Sequence, residues 1–274
     1  MNRILTNKKD ITAWLDSYDI KNYTLVANKK YGFMVDVEGS VDLHDKNLDF
    51  LAVKFGHVSG LFLCFKNNLV SLLGSPESVG KSFNCSENKL LTLEFAPSVV
   101  GSSFYADNNE LKNIQYSPVR VESHFSCSNN QLENLRGGPE FVGGSYNCSK
   151  NRLTSLDGSP GTLYAGFDCA QNELQSLDFG PKFVGSDFHC DYNHLKNLIG
   201  APGHVPRMFT CDDNELESIE GLPYFIGAVL TMSSNPKLGP MQNMSHEELK
   251  IILEKELLAS SSDVDLNAHK VLKI

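Results

Sequence analysis

Every cysteine in the chain falls on a 21-residue beat: Cys64, Cys85, Cys127, Cys148, Cys169, Cys190 and Cys211, with Ala106 in the one gap. The beat extends without insertion to Leu43 before and Met232 after. A fixed period of this length is the mark of a solenoid, because each unit can bury its apolar face only against a neighbour built the same way. It sorts the positions into two kinds, those that stacking fixes and those left free to carry function.

The fixed positions are explicit. Three places after each cysteine position stands an asparagine, from Asn67 through Asn151 to Asn235. Two further on comes a leucine such as Leu90 or Leu153, and then Leu93, Ile114 or Leu156. Proline follows, from Pro76 to Pro223, and after it an aliphatic such as Val79 or Val142. Turns stacked about 4.8 Å apart explain these choices. The Phe-x-Cys segment reads as a short strand with Phe83 and Cys85 pointing inward and Asn84 and Ser86 outward. Its copies are expected to pair into one parallel sheet. The aligned asparagines can bond backbone groups in the bend after the strand that would otherwise go unpaired. Proline and glycine in every unit predict a return segment that is extended or turn-like rather than helical.

The unit aromatic-x-Cys-x-x-Asn-x-Leu-x-x-Leu resembles a leucine-rich repeat of short period, with Phe and Cys in two leucine places. It is similar to the compact repeats of bacterial effectors. It also resembles bacteriophage and prophage proteins that open with a Trp-Leu…Asn-Tyr-Thr segment and repeat Phe-x-Cys-Ser-x-Asn-x-Leu-Thr-Ser-Leu-x-Gly-x-Pro. Here those are Trp14-Leu15, Asn22-Tyr23-Thr24 and, for example, Tyr146 to Pro160. The resemblance implies a β-rich solenoid with a parallel sheet on its concave face and a role in binding another protein. It brings no catalytic residue with it.

One continuous domain is expected, with residues 1–39 as an N-terminal cap, 40–235 as repeats and 236–274 as a C-terminal helical cap and tail. In the first cap, Asp10 is the candidate helix cap before Ile11, Trp14, Leu15 and Tyr18, and a hairpin of Tyr23 to Ala27 with Gly32 to Val37 follows. In the second, Ser245 and Glu248 form a capping box before a helix to about Leu258, with Leu249, Ile252, Leu253 and Leu257 as its apolar stripe. A short tail from Asp263 to Ile274 would be a second small helix or a free peptide.

Charge and composition narrow the function classes. A formal net charge of −9 without a basic stripe argues against nucleic acid as partner. No run approaches the ~18 apolar residues of a membrane span, and the first ten residues lack a leader's apolar core. The expected compartment is therefore the cytoplasm, that of the host if the chain is phage-encoded. Stacked cysteines would lie farther apart than a disulfide prefers, and no Cys-x-x-Cys pair suggests zinc. The thiols are expected to be reduced and buried, with no cofactor.

The free positions are uneven. The resemblance implies that the outward strand positions line the concave surface, and early units put Leu61, Leu63, Phe65 and Tyr105 there. These form a partner's contact patch, or the N-terminal cap folds over them. Late units offer Asp168, Asp187, His189, Asp191, Tyr192, His194, Asp212 and Asp213. Such a field can be simply solvated, can attract a basic partner, or can support metal binding or acid–base chemistry, since Asp168 and His189 share a column. The leading expectation is a non-enzymatic recognition solenoid that binds a host protein to inhibit or redirect it. The alternatives are a virion or surface component that binds glycans, and a hydrolase or metal site at the Asp/His cluster.

Overall fold

A computed structural model describes residues 4–255. The Phe-x-Cys segments form a ten-stranded sheet, from Val41–Asp42 through Phe83–Asn84 and Phe167–Asp168 to Val229–Thr231. All its pairs are parallel and in register at one unit per step, so that Phe62 faces Phe83, Phe83 faces Phe104 and Asp168 faces His189. The architecture is a parallel-sheet solenoid of the leucine-rich-repeat type.

The Phe-x-Cys copies pair into one parallel sheet as expected, and the return segments, expected to be extended or turn-like, stack as well. Two-residue strands such as Ser78–Val79, Phe141–Val142 and Phe183–Val184 make a second sheet, parallel except at its start, whose nine strands include Phe55–Val58 and the antiparallel hairpin Tyr23–Asn28/Gly32–Val37. His204–Val205 and Phe225–Ile226 continue it as a separate pair. The two-residue return strands from Ser78–Val79 to His204–Val205 each bury one aliphatic, such as Val79, Val142 or Val184, and leave its neighbour more exposed. Identical turns must bring these backbones to the ladder spacing too, so their N–H and C=O groups pair even where the side chains have little β-propensity.

The core runs between the two sheets. Phe62, Phe83, Phe104, Phe125, Tyr146, Phe167, Phe188 and Phe209 form a buried column, with ring centroids 4.9–5.9 Å apart from turn to turn. Tyr146 differs in one respect: its hydroxyl is buried with no hydrogen-bond partner, although the Cys127 thiol is near. The seven cysteines are free and buried. Most donate weakly to the carbonyl of the next strand, as Cys148 Sγ does to Asp168 O at 3.3 Å and Cys190 Sγ to Thr210 O at 3.2 Å. Burial pushes these thiols well above their ordinary pKa, which removes the thiolate needed for nucleophilic chemistry.

The asparagine column adds side-chain links between turns to the backbone ladders. Asn151 Nδ2 donates to Cys148 O of its own turn and to Cys127 O of the turn before, at 3.1 and 3.0 Å. Its Oδ1 accepts from Leu132 N at 3.1 Å. The same set recurs from Asn67 to Asn235. Two bends in each turn use left-handed backbone. Two places after the cysteine position, Lys66, Glu87, Lys150, Gln171, Tyr192 and others have φ of 50–57°. Eight places further on lies a second such column, the third residue of a tight turn closed by bonds such as Ser159 N to Leu156 O. Glycine fills it at Gly74, Gly137, Gly158, Gly200 and Gly221, but Phe95, Tyr116 and Phe179 hold φ of 64–70° there. A side chain in that conformation costs about 1–2 kcal/mol.

At the N-terminal end the helix Lys8–Ser17 is capped by Asn7, not by Asp10 as the sequence suggested. Asn7 Oδ1 accepts from Asp10 N at 3.0 Å, and Asn7 Nδ2 reaches back to the Asp10 carboxylate at 2.6 Å. Asp10 thus sits in the first turn, where a carboxylate suits the helix dipole. Ile11 and Leu15 are buried against the first turn of the solenoid, and the Trp14 ring meets Phe55 edge-on at 6.3 Å. At the other end the capping box is present: Ser245 N donates to the Glu248 carboxylate at 2.7 Å, and Glu248 N to Ser245 Oγ at 3.3 Å. Residues 246–255 are helical, with Leu249 buried and Ile252 and Leu253 packed against the core. Leu257, Leu258 and the tail from Asp263 to Ile274 lie outside the described residues.

Candidate recognition surface

The twelve residues singled out by sequence fall on the outward side of the strand sheet and on the bend that follows it. Leu61 and Asp187 stand three places before the cysteine position, and Leu63, Tyr105, Asp168 and His189 one place before it. Phe65, Asp191 and Asp212 stand one place after. Tyr192 and Asp213 occupy the first left-handed column, and His194 lies two residues beyond it.

The apolar end is partly open. Leu61, Leu63, Phe65 and Tyr105 are each half-buried. Phe65 is stacked under His44, ring centroids 4.8 Å apart and nearly parallel. His44 Nδ1 in turn meets Asp42 Oδ1 at 2.5 Å. Asp42 and His44 were not among the residues read from sequence. They belong to the degenerate first unit, and only the register at one unit per step places them beside Leu63 and Phe65.

The acidic end is more structural than its composition suggests. Asp191 Oδ1 accepts from Asp212 N at 2.9 Å, and Asp212 Oδ1 accepts from Ser233 N at 2.6 Å. Asp107 does the same in an earlier turn, accepting from Ser128 N at 2.8 Å. Each carboxylate therefore satisfies an N–H of the following turn. Asp187 likewise accepts from Met208 N at 3.1 Å, with the Arg207 guanidinium 3.8 Å away. Asp168 accepts from Ala170 N at 3.0 Å within its own turn, and burial pushes its carboxyl above the ordinary carboxylate range.

Asp168 and His189 are cross-strand neighbours, but no hydrogen bond joins them. His189 Nδ1 instead meets Thr210 Oγ1 at 2.9 Å, and Thr210 donates to the Asp191 carboxylate. The hydroxyl thus lies between carboxylate and imidazole. In nucleophile activation the imidazole lies between the other two, so that it can take the hydroxyl proton. Here that proton is directed at Asp191, and the order does not fit the hydrolase reading. Further along, His194 Nδ1 meets Glu215 Oε1 at 2.9 Å. The Tyr192 hydroxyl is held un-ionised to higher pH by the charge of Asp213 and a hydrogen bond to it. Among the described residues, no three His, Cys, Asp or Glu side chains converge as a metal site would require, and no helix is long and apolar enough to cross a membrane.

No protein-family model matches the chain, and neither does any curated protein. Among solved structures it is similar to YopM from Yersinia enterocolitica WA-314, with a TM-score of 0.51 and 20% identity over 72% of this chain. The match covers 49% of the YopM chain, so this chain corresponds to about half of it. A Shigella effector leucine-rich-repeat domain also matches, with a TM-score of 0.43 and 20% identity over 71% of this chain and 81% of the domain. At this identity the likeness to YopM concerns the fold alone: the chain has the leucine-rich-repeat fold.

Proposed function

We propose that the solenoid is a protein-recognition scaffold that reads its partner with the outward face of the strand sheet. The observation that carries this reading is a contrast between columns. Phe, Cys, Asn and Leu positions hardly vary from turn to turn, while the three outward columns hold Leu61, Leu63 and Phe65 in an early turn, Ser82, Asn84 and Ser86 in the next, and Asp187, His189 and Asp191 in a late one. Part of that variation serves the stack, since Asp187 and Asp191 hold N–H groups of the next turn, but stability gives no reason to leave Leu61, Leu63 and Phe65 half-exposed. Such a face suits a partner with an apolar anchor and a basic flank. Aromatic anchors set affinity, and charge sets the on-rate and its salt dependence. With the phage-like resemblance, the partner would be a host protein that the solenoid inhibits or redirects.

The test is affinity capture from bacterial lysate with the intact protein beside two double variants, Phe65→Asp/Tyr105→Ala and Asp213→Lys/Glu215→Lys. Asp191 and Asp212 are spared because their carboxylates hold backbone N–H groups. The expected result is one protein retained by the wild type and lost from one variant whose melting temperature is unchanged. The same partner retained by both variants would remove the strand face as the reading surface.

A further inference from the structure

The outward side of the return strands carries an aromatic surface unrelated to the strand face. In one column Phe141, Phe183 and Phe225 alternate with Thr162 and His204, so a ring stands at every second turn. Tyr164 lies between the first two rings, its centroid 6.3 Å from that of Phe141 and 6.5 Å from that of Phe183. Tyr164 and Tyr224 are 62% and 68% exposed, Phe183 and Phe225 45% and 44%. At about 200 Å² per aromatic side chain, these four leave roughly 450 Å² of one molecule open to water, a scale at which an exposed patch is often functional. Two copies of it together approach the ~1,000 Å² that a specific interface needs.

Three properties of this surface select its occupant. First, it is straight along the stack. Hydrogen-bonded ladders run on both sides of the core, so the turns are spaced alike on both and the return face is not fanned open. Second, it is balanced in charge, although the whole chain is at −9. From the turn of Arg120 to that of Phe225, the outward residue of each return strand and the residues flanking the strand include Arg120 and Lys182 against Glu122 and Glu140. Arg120 is bonded to Glu122 at 3.0 Å and lies over the Phe141 ring at 3.8 Å. An anionic membrane or a nucleic acid would call for a basic excess here, and a basic partner for an acidic one.

Third, the surface complements itself. A ridge that recurs every second turn fits a second copy running the opposite way and shifted by one turn. A two-fold axis along the strand direction, between the turns of Thr162 and Phe183, sets Phe183 of one copy against Thr162 of the other and Tyr164 against Gly185. Lys182 then faces Gly161, one turn, about 4.8 Å, from the other copy's Glu140. Phe141 faces His204, which can stack on it as it already does on Phe225 at 4.5 Å. Aligned sheets pack about 10 Å apart and cross at roughly 30°, so the pairs nearest the axis count most.

We propose that the protein forms an antiparallel homodimer through this return face, in that register. The interface uses no strand-face residue and does not depend on the protein-recognition reading; it leaves the strand face of each copy open.

The experiment is sedimentation velocity of the full chain over a concentration series spanning the micromolar range, where a monomer–dimer equilibrium is expected. Phe183→Glu and Tyr164→Ser should each weaken the dimer about thirtyfold or more, the size of an interface hot spot. Both side chains are exposed, so the melting temperature of the diluted monomer should not change. Lys182→Glu and Glu140→Lys should each weaken the dimer, because like charges then meet across the axis, and the double variant should restore it. Phe65→Asp should leave it intact. A wild type that stays monomeric throughout, a dimer that survives Phe183→Glu and Tyr164→Ser, or one lost on Phe65→Asp would overturn the proposal. A double charge reversal no better than either single change would overturn the antiparallel register.

Discussion

Asp168 shows how a single residue can look functional while answering to the stack. Its column holds Asn84 and Asn147 in other turns, and all three side-chain oxygens accept from the N–H two residues on, at 2.9, 3.0 and 3.0 Å. The bond needs an oxygen, not a charge, and burial makes the charge costly: the Asp168 carboxyl is pushed up, chiefly by desolvation. The folded state therefore holds this proton to higher pH than the unfolded chain does. Between the unfolded and folded pKa values the folded state binds more protons, so stability falls as pH rises, and the full penalty applies above the folded value. Asp168→Asn should stabilise the protein at pH 7 by about 1 kcal/mol and have little effect below the ordinary carboxylate range. Urea titrations of both proteins at several pH values measure the difference. A stabilisation that is the same at every pH, or a loss at pH 7, would mean that the carboxylate is needed as a charge, for instance by His189.

At the scale of elements, what the sequence revealed depended on how far an element's environment repeats. The strand, the asparagine bend and the two leucines were legible because each turn meets an identical neighbour, so the same residue recurs. The return strands were not. Only Val79, Val142 and their equivalents are constrained, and their outward neighbours range from Ser78 to Arg120 and Phe183. The second left-handed column was hidden for a related reason. Phe95, Tyr116 and Phe179 break a column of glycines, but only backbone geometry shows that the column is left-handed and exposed at Tyr116 and Phe179. On the strand face, residue types were readable, whereas the engagement of Asp191 and Asp212 with the next turn's N–H groups required the register. The N-terminal helix was found with its cap misplaced by one turn, since Asn7 and Asp10 are both good capping types. Asn7→Ala should cost about 1 kcal/mol. Asp10→Ala should cost less, because it removes only a favourable charge near the helix start and a side-chain bond to Asn7. Thermal melts of the two variants rank them, and the reverse order would return the cap to Asp10.

For the whole molecule, stability is a chain of nearest-neighbour terms, since each turn touches only the turns on either side. The asparagine column supplies much of that coupling: Asn151 joins the sixth turn to the fifth through Cys127 O and Leu132 N. Asn151→Asp keeps the acceptor for Leu132 N but removes the donors and sets a buried carboxylate against the carbonyls of Cys127, Cys148 and Ser149. Its local cost should be about 3–5 kcal/mol, that of an uncompensated buried charge. Position then decides how the loss appears. Near the end, Asn67→Asp weakens the junction with the first turn, so the rest of the stack should still melt as one unit at slightly lower temperature. In the middle, Asn151→Asp divides the stack into two blocks, each sealed at one end by its own cap. Calorimetry should then show a broadened or split transition, and hydrogen exchange should be faster around turns five and six than at either flank. A single sharp transition for Asn151→Asp, with exchange uniform along the stack, would mean that the paired sheets and the phenylalanine column propagate order across the break without the asparagine.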